Sequence, residues 1–120
     1  MMKSLFVGAA LLLATSAFAG EIDVTQGFTD LDGATLTMND KPDGPVATLR
    51  LLAIRALLSP QIEGGDKGDR YMLAMKIHLA DKIELRAEDV TLLKLVASKA
   101  YGPLVYGRIV EVIDPAALKK

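Results

Sequence analysis

The sequence predicts a small α+β fold, an N-terminal β-hairpin packed on a bundle of three to four short helices. Three observations carry that reading. Residues 22–39 alternate apolar and polar side chains around a central Asp32-Gly33, the pattern of two short strands joined by a tight turn. Residues 46–58, 70–79 and 87–113 instead repeat apolar positions at three- and four-residue steps, the period of amphipathic helices. Prolines and glycines at 42–45, 60, 64–65 and 115 flank these stretches, and Gly102-Pro103 interrupts the last of them.

Residues 1–19 stand apart from this domain. Lys3 supplies a charged start, residues 5–14 an apolar run, and Ala17-Phe18-Ala19 a small-residue cleavage signal before Gly20. The expectation is a Sec-type signal peptide cleaved after Ala19, a periplasmic or secreted product, and one small domain over 20–120. The apolar run is shorter than the roughly 20 residues a membrane helix needs. No second uncharged run follows, so no stable membrane insertion is expected after cleavage. The remaining chain is long enough for a modest core, and it has no cysteine to staple it.

In the hairpin, Ile22, Val24 and Phe28 alternate with Asp23, Thr25 and Thr29, with Gly27 weakening the run. Ala34, Leu36 and Met38 alternate with Thr35, Thr37 and Asn39 on the return. Asp32-Gly33 between them reads as a two-residue type I′ turn, whose central positions both need positive φ. An isolated hairpin is marginal in water, so its apolar face is expected to lie on the helices.

The first helix, over 46–58, places Leu49, Leu52, Ala53 and Ala56 on one face, and Ser59-Pro60 ends it. Residues 61–69 read as the most mobile loop, with Asp66 or Asp69 available to cap the next helix. Over 70–79, Tyr71, Met75 and Leu79 share a line, with Met72, Leu73 and Ile77 beside it. Core filling is expected of that stripe, an adaptable methionine-rich binding face being the alternative. Residues 83–85 suggest a short extended piece. Glu88 and Asp89 then suit the first turn of a helix, although Arg86 is a poor N-cap. Val90, Leu93, Ala97 and Ala100 mark its core face. Gly102-Pro103 breaks the run, which resumes through Ile109, Val110 and Ile113 until Pro115.

Chemical motifs are sparse. The formal net charge of −1 gives no reason to expect nucleic acid. His78 is the only histidine. A small hydrolase would pair it with Asp81 and Ser59 or Ser98, but no nucleophile elbow supports that, and a hydrogen-bonded residue on a helix flank is simpler. Asp30 and Asp32 before Gly33 invite comparison with a calcium loop, yet Phe28 and Asn39 occupy positions that need ligands. No metal and no cofactor are expected. Gly64-Gly65-Asp66-Lys67-Gly68 lacks the ending of a phosphate loop and reads as a turn. The best interaction candidates are Tyr101, Tyr106 and Arg108 around the helix break, residue types favoured at binding hot spots. Asp30 and Asp32, in an acidic stretch opposed only by Lys41, come second.

Three pieces, IDVTQGFTDLDG, LAMKIHLADKIEL and AEDVTLLKLVASKAYGPLVYGR, cover much of the chain after Gly20. In them the chain resembles small proteins of unknown function encoded in phage and prophage genomes. The resemblance implies ancestry and the order hairpin, helix, loop, helices; it supplies no functional residue. The chain departs from that group in its secretion signal and in Arg86, where the group has an N-cap serine. The expectation is therefore an exported, non-enzymatic module that binds an unknown protein partner. A cytoplasmic phage accessory protein with a misplaced start is the alternative.

Overall fold

A computed structural model describes residues 21–41 and 43–118. The signal peptide reading falls on residues 1–19 and lies outside the described residues. The fold is α+β. Among the described residues two strands, β1 (Glu21–Asp23) and β2 (Lys82–Glu84), accompany four helices: α1 (Leu49–Leu58), α2 (Lys67–Leu79), α3 (Ala87–Ala100) and α4 (Pro103–Ile113). Short 3-10 turns occupy Met38–Asp40 and Pro115–Leu118.

Of the alternating N-terminal apolar residues, Ile22, Val24, Phe28 and Met38 join the core and Leu36 packs against it, while Ala34 is exposed. Their hydrogen bonding divides in two. β1 pairs antiparallel with β2, setting Ile22 opposite Ile83, and Val24 N continues the seam by donating to Asp81 O at 2.9 Å. Beyond Gln26 the chain turns into a ring of three extended segments. Leu36 N donates to Phe28 O, Ala47 N to Leu36 O, and Phe28 N to Ala47 O, at 2.9, 2.9 and 3.2 Å. Each segment thus serves the next, and the ring closes without an open edge. Bridges Thr29↔Thr35, Thr37↔Val46 and Gly27↔Thr48 mark its three sides. Gly27 permits the closure, because a Cβ there would meet Val46 Cγ1 at 2.7 Å.

The turn of the 28–36 hairpin differs from the expected type. Among the described residues only Asn39 is a non-glycine with positive φ, so Asp32 is not in a type I′ conformation. The loop spans three residues instead, with Gly33 alone in the left-handed region at φ 92°.

Helix starts are shifted by their caps. Thr48 Oγ1 accepts from Leu51 N at 3.2 Å, so α1 begins at Leu49, and Val46-Ala47 belong to the ring. Asp66 accepts from Asp69 N at 2.9 Å and starts α2 at Lys67, three residues before the expected position. At α3 the N-cap Arg86 offers no acceptor, and the bonding runs the other way. Asp89, at the third helical position, reaches back to Arg86 N at 3.0 Å, which is half of a capping box. Pro103 at the first position of α4 needs no hydrogen-bond partner for its nitrogen, and Gly102-Pro103 separates α3 from α4 as expected.

Helix α1 packs on both α2 and α3. Its Ala53 and Ala56 are among the most buried residues, and small side chains let neighbouring backbones approach. Leu57, Ile77, Leu93, Val96, Ile109 and Ile113 fill the space around them.

Candidate interaction site

The helix break and the acidic hairpin, distant in sequence, meet in the fold through Arg108. From the second turn of α4, Arg108 Nε donates to Thr29 O at 2.8 Å and Nη2 to Asp30 O at 3.0 Å. Glu111, one turn on, holds Nη1 at 3.2 Å and orients the guanidinium. Charged donors on carbonyls make strong hydrogen bonds, so the loop is fixed to the helix from beneath. The loop also fixes itself. Asp30 Oδ1 accepts from Asp32 N at 2.8 Å and from Ala34 N at 3.0 Å, and Asp30 N donates to Ala34 O.

What this scaffold holds outward is Leu31. It is 85 % exposed, the most exposed large apolar residue among those described, and it stands between two aspartates. The carboxylate of Asp32 accepts no hydrogen bond among the described residues and faces water. Burying Leu31 against a partner would remove apolar area from water at about 25 cal/mol per Å². The sequence contained the signal: Leu31 is the one apolar residue inside the turn, and a turn gives it nowhere to hide.

The tyrosines have different duties. Tyr101 ends α3, and its hydroxyl donates to Leu52 O at 2.7 Å in the middle of α1. Burial pushes its pKa up to about 12, with Arg55 pulling slightly the other way. Tyr106 is half-buried and packs against the core. Of the five predicted contact residues, Asp30, Asp32 and Arg108 therefore come together, Tyr101 braces two helices, and Tyr106 packs inward with one side open.

His78 sits exposed in the last turn of α2. Among the described residues it makes no side-chain hydrogen bond, the expected one included, and none joins it to Asp81, Ser59 or Ser98. Those groups are occupied elsewhere: Asp81 Oδ1 accepts from Arg50 at 2.8 Å, Ser98 Oγ donates to Leu95 O, and Ser59 Oγ accepts from Gln61 N. Among the described residues no three His, Cys, Asp or Glu side chains converge as a metal site would require, and no helix is long and apolar enough to cross a membrane.

A second feature is a depression of about 660 Å³ between α2 and α3, lined by Met72, Leu92 and Leu95. At its polar end Asp89 is nearly enclosed and takes hydrogen bonds from Arg86 and Lys76. Burial pushes the Asp89 pKa up, but the bonds from Arg86 and then Lys76 outweigh it, and the net shift is downward. Both bases are thereby spent on an internal acid.

Compared with known protein families, with characterised proteins and with solved structures, the chain matches none.

Proposed function

We propose that the protein is an exported, non-enzymatic protein-interaction module of phage or prophage origin. Its contact surface is the 30–32 loop together with the α4 corner that clamps it. The observation that supports this reading is the clamp itself. An exposed leucine costs solubility, and a loop free to move would lose entropy on docking. Arg108 and the Asp30 turn have already fixed this one, which lowers that cost. An apolar anchor with an acidic rim fits a partner presenting an apolar pocket edged by lysine or arginine. The export reading places that partner among envelope proteins or incoming phage components.

The test is crosslinking capture from the periplasmic fraction, comparing the parent with Leu31→Glu, Arg108→Ala and Thr91→Glu. Thr91 is exposed on α3, away from the loop in sequence, and serves as the control. A partner retained by the parent and by Thr91→Glu, lost by Leu31→Glu and weakened about tenfold by Arg108→Ala, is the expected result. Capture that ignores Leu31→Glu would refute the assignment.

A further inference from the structure

The chain contains two Asp-Gly pairs, Asp32-Gly33 in the exposed loop and Asp43-Gly44 in the turn before Val46. Such a pair can rearrange without help. The glycine nitrogen attacks the neutral side-chain carboxyl of the aspartate, and the attacking residue has no Cβ to obstruct it. A five-membered imide forms, and the acid hydroxyl leaves with the amide proton as water. Water then opens the ring at either carbonyl. One opening restores aspartate, and the other gives isoaspartate, in which the main chain runs through Cβ. No oxidant, reductant or cofactor enters.

We infer that Asp32 is a site of spontaneous isoaspartate formation, and that the Arg108 clamp sets its rate. The two pairs differ in their surroundings. Around Gly33, at φ 92°, no atom lies within 4 Å of where a Cβ would stand, so the peptide unit can turn without meeting a neighbour. Asp32 is exposed, and among the described residues its carboxylate accepts no hydrogen bond that would restrain it. Gly44 is shut in. A Cβ there would meet Met38 O at 2.9 Å and Lys41 O at 3.2 Å, and Gly44 N donates to Lys41 O at 2.9 Å. Its peptide unit must leave that packing before the nitrogen can attack.

One restraint opposes the reaction at Asp32. Gly33 N, the nucleophile, donates to Asp30 O at 3.2 Å and must turn off that bond to attack. The same carbonyl accepts from Arg108 Nη2 at 3.0 Å, and Asp30 Oδ1 holds Asp32 N at 2.8 Å. The clamp that presents Leu31 therefore also holds the nucleophile. Ring closure proceeds from the fraction of molecules in which the turn has opened. The product lengthens the loop by one backbone carbon, which takes Ala34 off its bonds with Asp30 and frees Leu31 from its fixed position. Loss of partner binding on conversion rests on the contact surface proposed above; the rearrangement does not.

Incubation of the purified full chain in oxygen-18 water, followed by digestion and mass spectrometry, tests this, because each imide that opens keeps one labelled oxygen. In the folded protein, label should enter at Asp32 about tenfold faster than at Asp43, and in unfolding urea the two rates should converge. Arg108→Ala should speed entry at Asp32 about tenfold by removing a charged donor from Asp30 O. The Asp43 rate, unchanged, shows that the variant has not simply unfolded. Asp32→Glu would have to close a six-membered imide and should lose the label at that position. Asp32→Asn forms the same imide with ammonia leaving, and should convert faster than the parent. If Asp32→Asn keeps its amide in the folded protein, Gly33 N does not reach the carbonyl and the inference is overturned. Equal entry at Asp32 and Asp43 in the folded chain overturns it too, and a rate indifferent to Arg108→Ala overturns the role of the clamp. If converted protein still captures its partner, the contact surface is wrong and the modification site stands.

Discussion

Arg70 shows how far one side chain can organise this molecule. It lies in the buried face of α2 at 8 % exposure, and among the described residues no carboxylate meets it. Its donors go to five carbonyls instead: Leu57 O at 2.8 Å, Ala56 O at 3.2 Å and Ser59 O at 3.0 Å at the end of α1, then Ile62 O and Gly64 O in the following loop. The last carbonyls of a helix lack intrahelical partners and carry its negative dipole end, so a guanidinium there answers both needs. The loop read from sequence as the most mobile is pinned by the same group. Substitution by methionine keeps most of the volume and leaves those carbonyls without their donor. Arg70→Met should cost about 3 kcal/mol, read as a lowered urea midpoint at unchanged slope. A lysine, with one nitrogen and a different shape, should recover only part of it.

At the scale of elements, α3 begins without a capping side chain, and its start depends on Asp89. The carboxylate takes the Arg86 backbone N–H, the Arg86 guanidinium and Lys76, and its pKa in the fold lies below the ordinary value. A lowered acid pKa contributes stability that is present above the unfolded value, about 3.9, and lost as pH falls through the folded value. Asp23, lowered chiefly by its bonds from Thr25, acts in the same sense. Asp89→Asn should therefore lower stability at pH 7 and flatten, without abolishing, its decline below about pH 4. Urea titrations across pH 2–7 measure both; a slope equal to the parent's would refute the role. How much was legible follows from the same kind of interaction. All four helices were visible as periodic apolar runs, and the α3–α4 break was visible in Gly102-Pro103. The early start of α2 and the late start of α1 were less visible, because Asp66 and Thr48 act through one hydrogen bond each. The burial of Arg70 rather than Tyr71 was hidden. Periodicity ranks an arginine as polar, while the fold supplies it with carbonyls that no local pattern displays.

Across the whole molecule, the seam that brings β1 to β2 is the non-local contact of the backbone, as the Arg108 clamp is of the side chains. Ile22 and Ile83 lie opposite each other, and the 60 residues between them include the ring, α1 and α2. Alternation identified Ile22 as an inward residue but set it in a hairpin with the 34–39 segment; the fold pairs it with β2 instead, since strands of three residues carry no register of their own. The candidate site was legible in the same partial way. Arg108 and Asp30 were each marked by residue type, but only the fold joins them, and Leu31 becomes the candidate anchor once the loop is seen held. These two features predict opposite responses to similar changes. Ile22→Ala empties a packed position at the seam and should cost about 3 kcal/mol, a value typical of buried isoleucine truncation. Leu31→Ala touches nothing that the fold uses and should stay within about 0.5 kcal/mol of the parent. Thermal or urea unfolding of the pair separates fold from function in one comparison. Equal destabilisation by both would mean that Leu31 is packed in solution, and the loop would then have no anchor to offer a partner.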